Sequence, residues 1–196
     1  MRLLVLTWVL FLLAATVAAQ DLVPEAHLEQ KFLPGGNIQM HLAPGDYSIS
    51  GTLAERVRVT YRPAGTTSGP VRVELQAAGS NASLTVRHTS HQNFHADIEV
   101  PVRSDLLIRL GAGDLNVQGV AGSKDVEVHA GDVNIDVRRP EDYQQVEASV
   151  SVGDLTAPAF NVSKDGFARS FKRHGPGAYR LHVHVGAGDL RLYETD

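Results

Sequence analysis

Cysteine is absent from this chain of 196 residues. That absence excludes a disulfide framework, a thiolate metal site and a cysteine nucleophile. The stability of the fold must therefore come from a packed core and from backbone hydrogen bonds. A chain of this length is large enough to bury such a core as a single domain.

A strong charge of either sign is also missing. The chain has 18 Lys and Arg residues against 22 Asp and Glu residues, and its formal net charge is −4. Nucleic-acid-binding proteins usually carry a strongly basic field. We therefore expect no nucleic-acid partner.

The motifs of common catalytic sites are missing as well. No Gly-x-Ser-x-Gly sequence occurs, and the glycine-rich segments lack the Lys-Ser/Thr of a phosphate-binding loop. These features predict a non-enzymatic protein that needs no cofactor. The alternative is a carbohydrate-active enzyme on a β-helix frame, since a pair of catalytic carboxylates is defined by a three-dimensional distance and not by sequence spacing.

Long apolar runs are rare, and the one at the start of the chain predicts export. Residues 1–19 have one basic residue, an apolar run and small residues before Gln20, which is typical of a signal peptide. The alternative is an uncleaved N-terminal anchor. After processing we expect no membrane span and a periplasmic or extracellular location. Residues 20–36, which are polar and rich in Pro and Gly, are predicted to be a linker, and residues 37–196 a single all-β domain.

No window shows a sustained helical period, whereas short alternations of apolar and polar residues are frequent. Five of them in the first half predict strands in an antiparallel meander. They are Ile38–Leu42, Val57–Tyr61, Val71–Leu75, Leu84–Val86 and Ile98–Val100.

The most informative pattern is a Gly-Asp pair with alternating apolar residues on both sides. Glycine permits a positive φ, and aspartate can bond to nearby backbone, so the pair predicts a structural turn between two half-buried strands. Recurrence in one phase indicates an internal repeat, with a core at about residues 98–193. The five pairs are Gly45-Asp46, Gly113-Asp114, Gly131-Asp132, Gly153-Asp154 and Gly188-Asp189.

Two architectures satisfy this pattern. In a β-sandwich of hairpins, each Gly-Asp pair is a tight turn between antiparallel strands. In a β-solenoid, each pair is a corner that recurs once per coil, and the stacked coils bury a continuous interior. The 35 residues from Gly153 to Gly188 break the rhythm of the repeat, so an excursion is expected between the last two copies.

The second half of the chain resembles the bacterial putative-adhesin domain, an exported family of unknown function. The resemblance covers about half of the mature chain well and the N-terminal half loosely. It implies a β-solenoid-like fold in the cell envelope or outside it, which favours the solenoid over the sandwich of hairpins, and it provides no catalytic residues to carry over. The family's name implies an adhesin-like role. The matching segments are DIEVPVRSDLLIRL, GAGDLNVQGV, HAGDVNIDV, SVGDLTAP and GPGAYRLHVHVGAGDLRLY.

Metal binding is the less favoured interpretation of two features. Each Gly-Asp turn supplies one carboxylate, whereas Ca²⁺ takes six to eight oxygen ligands. The cluster of His88, His91 and His95 lacks a fourth ligand, and its spacing places the side chains on mixed faces of a strand. We expect turns and solvent-facing histidines, and no metal site.

The excursion at residues 164–180 is the candidate binding segment. Basic and aromatic residues interleave there, which is typical of loops that contact anionic polymers or acidic partners. The alternative is that the aromatic residues cover the edge of the sheet. The expected partner is an envelope polysaccharide or another surface protein. The candidate residues are Phe167, Arg169, Phe171, Lys172 and Arg173.

Overall fold

The computed structural model describes residues 25–62, 71–87, 94–165 and 167–195. The predicted signal peptide, His88 and His91 lie outside the described residues. The described chain is all-β, as predicted, with two short 3₁₀ helices at Pro140–Asp142 and Pro158–Phe160. The strands are β1 (Ala26–Lys31), β2 (Gly36–Leu42), β3 (Asp46–Thr52), β4 (Arg56–Tyr61), β5 (Arg72–Ala78), β6 (Asn81–Arg87), β7 (His95–Pro101), β8 (Ser104–Ala112), β9 (Leu115–Gln118), β10 (Lys124–Ala130), β11 (Val133–Asp136), β12 (Tyr143–Val152), β13 (Leu155–Ala157), β14 (Val162–Lys164), β15 (Phe167–His174), β16 (Tyr179–Ala187) and β17 (Leu190–Tyr193).

Two sheets build the molecule. The nine-stranded sheet has the order β1-β4-β7-β3-β9-β11-β17-β13-β14, and the eight-stranded sheet has the order β15-β12-β16-β10-β8-β2-β6-β5. Side chains alternate across each sheet, so that β2 buries Ile38, Met40 and Leu42 and exposes the polar residues between them. Buried residues from both sheets form one continuous hydrophobic cluster. This arrangement of two mixed sheets fits the β-sandwich, which was the alternative to a β-solenoid.

The centre of both sheets is parallel. Strands β6, β2, β8, β10, β16 and β12 are neighbours in the eight-stranded sheet. Each of these strands is followed along the chain by a strand of the nine-stranded sheet. Those following strands are neighbours in the same order: β7, β3, β9, β11, β17 and β13. Each Gly-Asp pair therefore carries the chain from one sheet to the other. The flanking strands lie in opposite sheets and are not paired as a hairpin.

The repeats do not stack in the order of the chain. The last repeat, β16 and β17, lies between β10/β11 and β12/β13. The predicted excursion makes this possible: β14 pairs antiparallel with β13, and β15 pairs antiparallel with β12 before the chain returns as β16. The excursion thus forms one end of both sheets.

The first half differs from the predicted antiparallel meander. Strands β1, β4 and β5 make only antiparallel pairs and flank the array, whereas β2, β3, β6 and β7 each have a parallel neighbour and extend it. Alternation alone does not encode strand direction, and the parallel partners lie far away in sequence. The segment 20–36, predicted to be a linker, contains β1, and its Phe32 is 1% exposed in the core. The polar sequence of β1 reflects its position at a sheet edge.

Candidate binding surfaces

The Gly-Asp corners form a ladder along one edge of the sandwich. Gly113, Gly131, Gly153 and Gly188 have φ between 114° and 133°, a region that favours glycine. A Cβ on Gly131 would overlap the carbonyl oxygen of Gly113, and each of the other three glycines meets a neighbouring corner in the same way. The corners therefore pack backbone against backbone, with no room for a side chain.

The aspartates continue this ladder. In four of the five corners, the backbone N–H of the aspartate donates to Oδ1 of the aspartate in the adjacent corner. The N···O distances are 3.2 Å for Asp114 to Asp46, 3.1 Å for Asp132 to Asp114, 2.9 Å for Asp189 to Asp132 and 2.9 Å for Asp154 to Asp189. These carboxylates therefore link neighbouring corners through hydrogen bonds to the backbone. In the described part of the chain, no group of three or more His, Asp or Glu side chains is placed to hold a metal ion.

The candidate binding residues from the sequence lie on β15, at the end of the eight-stranded sheet. Among the described residues, β15 pairs with β12 alone, so its second edge is open. The strand FARSFKRH carries two arginines, one lysine and one histidine, and no acidic residue. We call residues 167–174 together with Val152 the β15 strip.

The side chains of the β15 strip divide between the two faces of the sheet. Lys172 faces outward, and its Nζ lies 2.9 Å from Oε1 of Glu147. The hydrogen bond from Lys172, together with one from Gln145, lowers the pKa of Glu147 below its ordinary value. Phe171 faces inward and contacts Phe160, with ring centroids 5.8 Å apart. Phe171 thus packs against the end of the core.

The other side chains of the β15 strip include exposed apolar groups and arginines that are available to contact a partner. Phe167 is 74% exposed and lies directly opposite Val152, which is 48% exposed. The Nε of Arg169 is buried and has no hydrogen-bond partner among the described residues. The guanidinium of Arg173 lies 5.4 Å from the centre of the Phe160 ring. An exposed apolar pair therefore adjoins a basic group whose hydrogen-bonding capacity is not fully used.

A groove that no sequence motif indicated lies on the outer face of the eight-stranded sheet. The groove has a volume of about 500 Å³ and crosses β10, β8, β2 and β6. Gly111 and Ala43 contribute no long side chain to it, and polar side chains surround it. These are His41, Thr85, Arg87, Arg109, Glu127 and His129. The residues are far apart in sequence, and only the parallel registers bring them together.

Ion pairs order one side of this groove. Arg109 bridges two carboxylates, with Nη1 2.9 Å from Asp125 Oδ1 and Nε 3.2 Å from Glu127 Oε2. Partial burial tends to raise the pKa of Asp125, but hydrogen bonds from Arg109 and His182 outweigh it and lower this pKa. His182 and His184 lie on the same outer face, as the alternation of β16 predicts.

Comparison with known proteins identifies a similar fold in solved structures. A putative cell adhesion protein from Clostridium sporogenes ATCC 15579 superposes with a TM-score of 0.54 at 13% identity, over 88% of this chain and 100% of that chain. A putative adhesin from Bacteroides fragilis NCTC 9343 gives a TM-score of 0.25 at 11% identity, over 87% and 97% of the two chains. The first likeness shows a shared fold, whereas the second is too weak to carry an argument.

No family model and no curated protein matches this chain. Within the described residues, no helix has the length and apolar character needed to cross a bilayer.

Proposed function

We propose that this chain is an exported, non-enzymatic, adhesin-like protein of the bacterial envelope. A solenoid-like stack of Gly-Asp corners forms its rigid scaffold, and the β15 strip binds another surface protein. The observation that carries this proposal is the open edge of β15, where the exposed Phe167–Val152 pair lies beside Arg169. The Clostridium sporogenes protein of similar fold is named a putative cell adhesion protein, which supports the same role.

Strand addition is the binding mode that fits this edge. An extended segment of a partner can pair with the open N–H and C=O groups of β15, while its side chains provide specificity. The basic residues of β15 favour an acidic segment and disfavour pairing with β15 of a second copy, since like charges opposite each other are destabilising. Phe167 and Val152 provide an apolar contact for such a segment.

The alternative of a carbohydrate-active enzyme gains no support from the groove. Glycosidases use two carboxylates about 5–10 Å apart on either side of the scissile bond. The described lining of the groove has one carboxylate, Glu127, and Arg109 holds it in an ion pair. Turnover of any member of a broad glycan panel would favour the enzyme.

The proposed contact can be tested with a synthetic peptide of alternating Glu and Val residues. The mature protein should bind this peptide in fluorescence anisotropy, with an affinity that falls as salt rises. The combined variant Arg169→Gln, Lys172→Gln and Arg173→Gln should lose binding by tenfold or more. Lys31→Gln, on the edge strand at the opposite end, is the matched control and should bind normally. Unchanged binding by the triple variant would contradict the proposal.

Variants of two phenylalanines distinguish a residue that contacts the partner from one that covers the core. Phe167→Ala should weaken peptide binding and change stability by less than about 0.5 kcal/mol, because the ring is mostly exposed. Phe171→Ala should cost about 2 kcal/mol or more, because its ring packs against Phe160. A peptide N-methylated along one edge should not bind, because strand pairing requires its N–H groups.

A further inference from the structure

We propose that the groove on the outer face of the eight-stranded sheet binds an acidic polysaccharide through the carboxylates of its sugars. The groove crosses four adjacent parallel strands. Neighbouring strands are about 4.8 Å apart, so four strands span about 15 Å, the length of a short oligosaccharide. The site lies toward the β5 end of the sheet, whereas the β15 strip is at the other end.

Arg87, which lines the groove, and Arg72 on the next strand indicate an anionic ligand. Arg72 on β5 and Arg87 on β6 are directly opposite each other in the antiparallel register, and both are exposed. Neither has an ion pair with a described residue, although Glu74 lies on the same face. Like charges directly opposite each other destabilise a strand pair. A bound carboxylate would offset this repulsion and accept bidentate hydrogen bonds from a guanidinium.

The arginines of the nine-stranded sheet provide a contrast. Arg56 and Arg58 on β4 also lie close together, but Glu29 contacts both of them, at 3.3 Å and 2.8 Å. The protein therefore neutralises that arginine pair with its own carboxylate. For Arg72 and Arg87 we assign the neutralising carboxylate to the ligand.

Neither the backbone conformation nor the packing at position 111, in the groove, requires the glycine that is found there. Its backbone φ is outside the left-handed region, and a Cβ would meet only Pro44, at an ordinary distance of 3.7 Å. Gly186, at the equivalent position of the last repeat, is different, since a Cβ there would overlap the carbonyl oxygen of His129. Glycine inside a strand weakens it and often marks a place where a ligand approaches the backbone. The missing side chain at Gly111 keeps the groove open.

The remaining polar groups suit the hydroxyls of a sugar chain. His41 and His129 are exposed and border Gly111, and they can donate or accept hydrogen bonds. Glu127 is a hydroxyl acceptor that Arg109 holds in place. Since Asp125 and Glu127 already pair with Arg109, we assign carboxylate binding to Arg72 and Arg87.

The test is binding of polygalacturonate to the mature protein by isothermal titration calorimetry, with neutral dextran as the comparison. Wild type should bind polygalacturonate, and dextran at least tenfold more weakly. Arg87→Gln should reduce affinity about tenfold, and Arg72→Gln with Arg87→Gln should abolish binding. Gly111→Gln should abolish binding with an unchanged melting temperature, because its side chain fills the groove. Arg191→Gln, on the outer face of the other sheet, is the matched control and should change affinity less than twofold.

Four results would overturn the proposal. They are equal binding of dextran, normal binding by Gly111→Gln, loss of binding in Arg191→Gln alone, and failure of wild type to bind either polygalacturonate or alginate. Loss of polysaccharide binding in the β15 triple variant, with Arg87→Gln unaffected, would also overturn it and would assign polysaccharide to the β15 strip. Because the acidic peptide tests the β15 strip separately, the two proposals can fail independently.

Discussion

The two long edges of the sandwich connect the same sheets in different ways. At the Gly-Asp edge, five turns of one kind stack backbone on backbone. At the opposite edge the chain returns by connections of unequal length: Val102–Arg103 joins β7 to β8, Gly119–Ser123 joins β9 to β10, and residues 137–142 join β11 to β12. The Gly-Asp edge fixes the spacing of the repeats, and the opposite edge accommodates connections of different length.

The edge opposite the Gly-Asp corners, which we call the return edge, is filled by buried side chains, whereas the Gly-Asp edge is filled by stacked backbone. Lys124 is 1% exposed, and its Nζ donates to the Tyr143 hydroxyl at 2.8 Å and to the Gly122 carbonyl at 3.3 Å. Asp136 is 4% exposed and accepts backbone hydrogen bonds from Gly119, Arg138 and Thr195. Buried polar groups satisfy the irregular backbone there. The two edges should therefore respond to different perturbations.

The largest expected effect is on the Gly-Asp edge. Gly131→Ala should destabilise the protein by about 3 kcal/mol or more, because φ is +133° and the new Cβ would overlap the Gly113 carbonyl. Urea unfolding measures this change. Gly79→Ala is the matched control: φ is +61°, and a Cβ there meets nothing within 4 Å. It should cost only about 1 kcal/mol. Equal costs at both sites would contradict the close stacking of the corners.

The second prediction uses pH to test the return edge. Burial lowers the pKa of Lys124 to about 8, although Asp136 and Asp105 act in the opposite direction. Between pH 8 and the unfolded pKa of 10.5, the unfolded chain binds more protons than the folded one, so stability rises with pH. Relative to Lys124→Met, wild type should gain about 2 kcal/mol between pH 7 and pH 9.5. Unfolding in urea at both pH values gives this difference.

Groups common to both proteins cancel in that comparison. Burial raises the pKa of Tyr143, the partner of Lys124, so the folded state keeps its hydroxyl protonated in this range. A constant difference between wild type and Lys124→Met from pH 7 to 9.5 would show that Lys124 is not buried as a neutral amine. Gly131→Ala retains Lys124, so the stability difference between it and wild type should stay constant from pH 7 to 9.5.

The sequence predicted the regular edge well and the irregular features poorly. Apolar alternation around Gly113-Asp114 and its copies identified the strands and the corners, because these depend on local backbone geometry. The position of the last repeat was not predictable, since parallel neighbours are chosen by long-range packing. Buried Lys124 was also missed: it occupies an inward position of β10, where lysine is rare.

The same reasoning applies to the candidate sites. The basic and aromatic composition of 164–180 was visible in sequence, but the outward direction of Lys172 and the inward direction of Phe171 depend on the register with β12. The groove requires four strands that are distant in sequence. Its only local signal was Gly111, a second glycine beside the Gly-Asp pair, which looked like part of the turn.

The smallest effect concerns the aspartate ladder and separates hydrogen bonding from charge. Asp132 Oδ1 accepts the backbone N–H of Asp189 at 2.9 Å, and its own N–H donates to Asp114. Asp132→Ala removes one acceptor at an exposed corner, where water can replace it, and should cost about 1 kcal/mol. Asp132→Asn keeps an acceptor oxygen and removes one of three adjacent negative charges. It should be neutral or stabilising by a few tenths of a kcal/mol, more at low salt.

Asn134→Ser, in the strand that follows this corner and outside the ladder, should change stability by less than about 0.5 kcal/mol. If Asn and Ala at position 132 are equally destabilising, the carboxylate contributes to stability through its charge. A cationic group that binds the aspartate ladder would then have to be identified. If Asn restores wild-type stability, the ladder is held by hydrogen bonds that any planar acceptor can make. The repeated aspartate is then explained by turn geometry. The Gly-Asp edge owes its stability more to the backbone packing of the glycines than to the aspartate side chains.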